Sequence, residues 1–506
     1  MTYGKIYIMS NMVDFNNRKA GVLLPIFSLA SPYGIGTLGK AAFDFVDFLA
    51  SSGITYWQIL PLNPTSYGDS PYFSPSSMAG NPYFIDLDLL VESGLLTNKD
   101  LAELKEKNHN CVDYELLYCK LNPILEKAFA SFVACDKLKE FKAKHSHWLN
   151  DYSLFMAIKE QKPEKVWASW DILIKTRDAD TLLKLKEKLT KRIAFYDFLQ
   201  FIFFSQWHKL KQYANKNSVS LIGDIPIYVA QDSADVWANP ELFELDSNLK
   251  PTRVAGCPPD YFSKDGQLWG NPLYNWNTHK ASGYGWWLKR LGHNLELFDA
   301  LRIDHFRAFA EYYAIHARDK TAKNGIWELG GGKDFIRVVN QWFNYPPIIA
   351  EDLGFMTDGV RELLAYSGYP GMRVLAFGFS SSDGKSEHLP HNYIKHLAVY
   401  TGTHDNDTAI GTYKSANANS KKIMRNYLGT AHGKEKGLSF ARACLNSVAN
   451  TAIIPLADFL NLDSSARVNV PSTLGGNNWK WRIDCGDLSD ELASRIKSMV
   501  ELSGRI

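Results

Sequence analysis

At 506 residues the chain is too long for one minimal domain and must form either one large barrel with insertions or two to three domains. Its 56 Lys+Arg stand against 54 Asp+Glu with the signs interspersed, which excludes the basic footprint of a nucleic-acid binder. No apolar run reaches membrane-spanning length and the N-terminus lacks a secretory pattern, so the expectation is a cytoplasmic protein with no membrane partner.

Six scattered cysteines with no CxxC pair read as reduced thiols rather than a disulfide framework. Fourteen Trp and 25 Tyr are more than a core alone needs. Aromatic faces stack on the apolar faces of sugar rings, so the composition permits a sugar-binding cleft, although aromatics also fill ordinary cores.

In chain order, residues 1–17 are expected to be a disordered lead-in. Short apolar runs predict buried strands at 21–27, 56–62, 220–229, 300–306, 347–352, 373–379, 398–403 and 452–458. Helical periods lie between most of them. Ala42, Phe45, Val46 and Leu49 fall at i, i+3, i+4 and i+7, and Gly53 marks the stop. Residues 358–367 predict a helix ended by Gly368 and Pro370, and Leu438, Ala441, Leu445 and Val448 mark another. Eight strands alternating with helices predict a (β/α)8 TIM barrel.

The spacing is uneven. Residues 95–217, rich in Lys, Glu and Leu with helical period, predict a mainly helical insertion. Residues 232–287, crowded with Gly, Pro, Asn and Trp, predict a long loop region over the active-site face.

Acids stand at the ends of these strands: Asp224 in Gly-Asp-Ile-Pro, Asp304 in Arg-Ile-Asp-His-Phe-Arg, Glu351 and Asp352 in Ala-Glu-Asp-Leu-Gly, and Asp405 in Gly-Thr-His-Asp-Asn-Asp. A carboxylate closing a buried apolar run costs free energy unless it has a partner or a task. All strand C-termini of a barrel open on one face, so these acids would converge on one cleft. Convergent carboxylates suit glycoside chemistry: one protonated to assist the leaving oxygen, one ionised to attack carbon or activate water. Arg302 lies two residues before Asp304, on the same strand face, where a guanidinium would favour the charged carboxylate. His404 would donate to a sugar hydroxyl. Taken singly, each acid has the simpler reading of a helix cap or an ion pair.

Several further motifs accompany the acids. They include Arg-Lys-Ala-Gly-Val-Leu-Leu from residue 18, Ser-Pro-Tyr-Gly-Ile-Gly at 31–36, Tyr-Gly-Asp-Ser-Pro-Tyr at 67–72 and Ala-Gly-Asn-Pro at 79–82. Gly-Asp-Ile-Pro-Ile-Tyr-Val-Ala follows at 223–230, then Pro-Pro-Asp-Tyr-Phe at 258–262, Trp-Gly-Asn-Pro-Leu-Tyr at 269–274 and Asn-Trp-Lys-Trp-Arg at 478–482. With these motifs the chain resembles, over residues 18–482, the amylomaltases or 4-α-glucanotransferases, relatives of the α-amylases.

The resemblance implies Asp304 as nucleophile, Glu351 as general acid/base and Asp405 as the acid that stabilises the transition state. It implies Arg302 and His404 as their supporting partners, and Tyr72, Asp224, Asp260, Trp269 and Phe379 as contacts to donor or acceptor sugars. The substrates implied are maltooligosaccharides and other α-1,4-glucans, with no cofactor and no metal. The alternative on the same fold is an α-1,4-glucan hydrolase of the α-amylase type.

Three patterns are set aside. Gly34-Ile-Gly36-Thr-Leu-Gly39 fits GxGxxG, but the next strand ends without the acid a dinucleotide site requires, so a tight barrel loop is expected. The pairs His145/His147 and His388/His391 lack a third ligand at defined spacing and read as surface histidines. Asp232 and Asp235 read as caps of the following helix.

Overall fold

The computed structural model describes residues 13–66, 68–102, 104, 110–259, 263–429 and 435–506. Eight parallel strands close a barrel: β1 (Lys19–Leu23), β2 (Tyr56–Gln58), β3 (Ser220–Pro226), β4 (Ala300–Asp304), β5 (Ile348–Ala350), β6 (Gly371–Val374), β7 (Leu397–Tyr400) and β8 (Thr451–Pro455). Each strand pairs with its neighbours in sequence, and β8 returns to β1 from Lys19↔Thr451 to Leu23↔Pro455. Every predicted strand is present, but the predicted ends overrun. Past the paired residues the chain turns into 3-10 helix at Ile26–Ser28, Phe306–Phe309 and Leu375–Phe379 while its apolar side chains stay buried, so hydrophobicity does not mark where pairing stops.

Helices cover the barrel. Lys40–Ser51 buries Ala42, Phe45, Val46, Phe48 and Leu49, and Asp358–Ser367 ends on Gly368 at φ 72°, a left-handed position suited to glycine. The connection from β6 to β7 holds two 3-10 turns and no α-helix. Between β2 and β3 lies a run of helices ending in the 27-residue Thr190–Lys216. That helix grips the segment after β2 through two buried amides. Gln200 accepts from the Gly80 N–H and donates to its carbonyl, and Gln206 does the same at Asp86.

The stretch 232–287 is more regular than its composition suggests. It holds helix Ala234–Ala238, strands Arg253–Cys257 and Gln267–Pro272, helix Trp276–Ala281 and the start of helix Gly285–Leu297. Its two strands form an antiparallel sheet with Glu311–His316 and Ile326–Leu329, which come from the connection after β4. The partner strands are remote in sequence, so local patterning could not reveal the sheet. Arg253 fastens it by bridging Glu244 and Glu328.

Other readings are corrected. Of the lead-in, residues 1–12 lie outside the described residues, whereas Phe15 is buried against Tyr56 and its carbonyl accepts from Asn450. The GxGxxG loop is tight for steric reasons: a Cβ on Gly36 would stand 1.8 Å from the Ile26 carbonyl oxygen, and one on Gly39 2.0 Å from the Asp86 carboxylate. Asp232 and Asp235 are not caps, since Ser233 caps Ala234–Ala238. Asp232 instead pairs with Lys159, and Asp235 accepts from the backbone N–H and hydroxyl of Ser77.

His145 is buried, not on the surface. It accepts from Trp148 Nε1 and packs edge-on to His293, whose Nε2 donates to the Met78 carbonyl. Burial pushes His145 down to about 3 and His293 down to about 4. The unfolded chain therefore binds more protons below about 6.5, and stability falls as pH drops from there toward about 4. Each histidine should contribute on the order of 1.4 kcal/mol per pH unit in that window. Thermal melts at pH 7, 6 and 5 should show a shallower acid loss for His145→Phe than for wild type; equal slopes would refute the assignment.

Candidate active site

The strand ends bring the sequence-predicted acids to one face. β3 and β4 are in register with Asp224 opposite Arg302 and Pro226 opposite Asp304. Arg302 and Asp304, two residues apart, share a side. Arg302 Nη1 donates to both oxygens of Asp224 at 2.8 and 2.7 Å, and Nη2 donates to Asp304 Oδ1 at 2.8 Å. The side chains of Arg302 and Asp224 are 4% and 0% exposed, whereas Asp304 is 29% exposed. The Arg302–Asp224 pair therefore lies beneath the cleft, and the Asp304 carboxylate, bonded to the same guanidinium, reaches its surface. Asp224, expected as a sugar contact, is covered, and it holds Arg302 and Tyr72 instead.

Glu351 follows β5. Its two oxygens accept from backbone N–H groups, Oε2 from His305 at 2.7 Å and Oε1 from Leu353 at 2.9 Å. Burial and the negative charge of nearby Asp304 push its carboxyl up to about 8, against the opposing pull of Arg302 and the two N–H donors. Adjacent Asp352 turns into the barrel wall, where it accepts from Met372 N and Arg373.

The His305 donor depends on local geometry. His305 takes φ 55°, left-handed and uncommon for a residue with a side chain, so the chain reverses just after Asp304 and its N–H faces Glu351. The His305 imidazole is pushed down to about 3 by burial and by nearby Arg307. It meets Trp269 edge-on, with ring centroids 4.8 Å apart. His305 was given no role by sequence reasoning, though its place next to Asp304 in the quoted motif was the signal.

β7 ends at Tyr400 and the chain turns to carry His404 and Asp405. His404 Nε2 stands 3.4 Å from Asp405 Oδ2, whose side chain is 43% exposed. Tyr72, on the segment after β2, donates to Asp224 Oδ2 at 2.7 Å and stacks on His404 at 4.9 Å and 15°. Asn469 donates to Asp405 Oδ1 at 2.6 Å, and Trp479 lies against both Tyr72 and His404. These last two come from the chain beyond β8.

Trp269 sits on the edge strand of the antiparallel sheet, partly buried between His305 and Tyr228. Asp260 lies outside the described residues. Phe379 does not join the site. It is 2% exposed and packs against Tyr427 and Phe440. β6 stops at Val374 and the chain turns into the 3-10 helix that carries the Phe379 ring into the core, whereas the resemblance implies a sugar contact. Among the described residues no cluster of three or more His, Cys, Asp or Glu suits a metal ion, and no helix is long and apolar enough to cross a membrane.

The cleft thus offers a half-buried carboxylate tied to a guanidinium, a buried carboxyl whose raised value favours the protonated form near neutral pH, and a third acid, Asp405, on the turn after β7. This is a set able to protonate a leaving oxygen, attack carbon and offset positive charge. The profile of the 4-alpha-glucanotransferase family (Glyco_hydro_77) matches residues 24–488. The 4-alpha-glucanotransferase of Aquifex aeolicus is 47% identical over 92% of this chain and 95% of its own. That of Clostridium butyricum is 44% identical over 95% of this chain and 99% of its own. The structure of the amylomaltase from Streptococcus agalactiae in complex with acarbose superposes with a TM-score of 0.94 at 38% identity, covering 96% of this chain and 99% of that one. The chain belongs to the 4-alpha-glucanotransferase family and is an enzyme that transfers α-1,4-glucan segments between sugar chains.

Proposed function

We propose that Asp304, Glu351 and Asp405 perform the transfer by a retaining double displacement on maltooligosaccharides and related α-1,4-glucans. The observation that carries this reading is the buried Glu351 carboxyl, raised to about 8, beside an Asp304 held by Arg302.

In the first step Asp304 attacks the anomeric carbon while Glu351 gives its proton to the departing glycosidic oxygen. The C–O bond breaks, the shortened chain leaves as an alcohol, and a β-linked glycosyl ester forms on Asp304. In the second step the Glu351 carboxylate takes a proton from an acceptor hydroxyl. That oxygen attacks the anomeric carbon, the ester bond breaks, and an α-1,4 linkage is remade. Asp405 offsets the positive charge on the ring. Tyr72 and His404 form the wall of the donor site, and Trp269 supplies a stacking face on the acceptor side, under the cover of residues 232–287. Arg302 and Asp224 orient Asp304 and Tyr72 from below. The helical stretch 95–217 acts as an insertion that braces the segment carrying Tyr72. The enzyme works in the cytoplasm on maltodextrin, starch or glycogen chains, and the six free cysteines are in keeping with a reducing compartment.

Acceptor choice is the test. Maltotriose should yield glucose together with longer oligosaccharides while total reducing ends stay nearly constant, since each transfer breaks one bond and makes one. Trp269→Ala should raise the hydrolytic share several-fold, because a held sugar hydroxyl competes with water through its effective concentration. Reducing ends that rise steadily in the wild-type reaction would contradict transfer. An unchanged product ratio in the variant would remove Trp269 from the acceptor site.

A further inference from the structure

Asp405 stands on a turn well past its strand, with its side chain 43% exposed. Such a carboxylate has rotational freedom that works against catalysis unless something fixes it. What fixes it comes from beyond β8. Asn469 Nδ2 donates to Asp405 Oδ1 at 2.6 Å, and Arg467 Nη2 donates to the Asp405 backbone carbonyl at 2.8 Å. Arg467 Nε donates to the Asn469 carbonyl at 2.7 Å, and the Asn469 N–H donates to the His404 carbonyl at 3.1 Å. Three hydrogen bonds thus join two residues of one segment to two residues of the other, and a fourth, from Arg467 to Asn469, ties the bracket to itself.

The bracket is itself braced. Trp479 N–H donates to the Val468 carbonyl, Asn478 Oδ1 accepts from Val470 N–H, and the Trp479 ring lies 6.0 Å from His404. Asn469 holds Oδ1, and Oδ2, 3.4 Å from His404 Nε2, accepts no hydrogen bond among the described residues and is open to a ligand. Charge stabilisation in a transition state is effective when the charged group is held in place beforehand, so that no reorganisation accompanies the reaction.

We infer that Asn469 and Arg467 are positioning residues of the transfer reaction, which set the rotation of the Asp405 carboxylate and the height of its backbone. This inference rests on the reading of Asp405 as the acid that stabilises the transition state. It makes the segment after β8 a working part of the active site.

The test compares Asn469→Ala, Asn469→Asp, Arg467→Ala and Asp405→Asn with wild type, using full-length enzyme, maltotriose as substrate and thermal melts as the control for folding. Asn469→Ala should lower kcat roughly tenfold or more with KM within about threefold, because the lost interaction acts on the transition state. Asn469→Asp keeps the size but removes the donor and sets two carboxylates face to face, so it should be worse than Asn469→Ala. A space-filling role predicts the reverse order. Arg467→Ala should lower kcat in the same sense.

If Asn469→Asp turns over at the wild-type rate while Asp405→Asn is inactive, the bracket is overturned and Asp405 keeps its role. If Asp405→Asn itself turns over normally, the reading of Asp405 fails, and the bracket with it. A fall in kcat matched by a large fall in melting temperature for Asn469→Ala, with Asn469→Asp restoring both, would make the residue structural and also overturn the proposal.

Discussion

Glu351→Gln is expected to lower kcat/KM for maltotriose by roughly 10²–10⁴-fold, the usual contribution of a positioned general acid or base. The amide keeps the size, and its single oxygen can accept from one of the two N–H groups, His305 or Leu353, while its NH2 faces the other, so the pH profile and the leaving-group dependence, not the loss alone, report the proton. A sugar alkoxide leaves poorly, and the first step needs the protonated carboxyl. Wild-type kcat/KM should therefore fall as pH rises through about 8, where Glu351 loses its proton. The sign follows from the raised value: below it the acid is in its working form, above it the acid is spent. The variant should lack this alkaline limb. A glycosyl fluoride separates the roles further. Fluoride departs without proton assistance, so Glu351→Gln should still form the glycosyl ester from α-maltosyl fluoride and accumulate it, visible by intact-protein mass spectrometry. Near-wild-type turnover of Glu351→Gln on maltotriose would assign the acid elsewhere.

The parts of this site visible in the sequence are those governed by short periods. Arg302 and Asp304 share a strand face because they are two residues apart, and their opposite charges meet there at 2.8 Å. Glu351 stood out because a carboxylate closing an apolar strand needs a reason to be there. The eight strands were visible for the same cause: buried parallel strands are continuous apolar runs.

What was hidden depends on contacts between distant segments or on local backbone turns. Asn469 meets Asp405 across 64 residues, and the sheet that carries Trp269 joins strands from two separate excursions. Phe379 is implied as a sugar contact by the resemblance, yet β6 stops at Val374 and the 3-10 helix that follows turns the ring into the core. The left-handed turn at His305 has no sequence signal of the kind a glycine would give, yet it supplies one of the two N–H groups on Glu351.

Asp304→Asn is expected to have the largest effect, a loss of more than roughly 10⁴-fold in kcat, since removing the attacking group of a covalent mechanism leaves only binding and charge stabilisation. The amide cannot form the ester, and it also changes the balance around Arg302, which would then face one carboxylate, Asp224, in place of two. Asp224 is fully covered and bonded to Arg302 through both oxygens, so the fold should survive, and melting temperature should fall little beside the loss of rate. Unlike Glu351→Gln, this variant should form no adduct from α-maltosyl fluoride, because the better leaving group does not replace a missing nucleophile. The pair of results assigns the two carboxyls without reference to each other. Geometry gives an independent check. In a ligand-bound, closed structure the carboxyl groups of Asp304 and Glu351 should stand about 5–5.5 Å apart, the spacing of retaining enzymes. A gap of about 9 Å leaves room for water and belongs to inversion. An Asp304→Asn enzyme that forms the adduct, or a closed complex with the wider gap, would move the nucleophile away from Asp304.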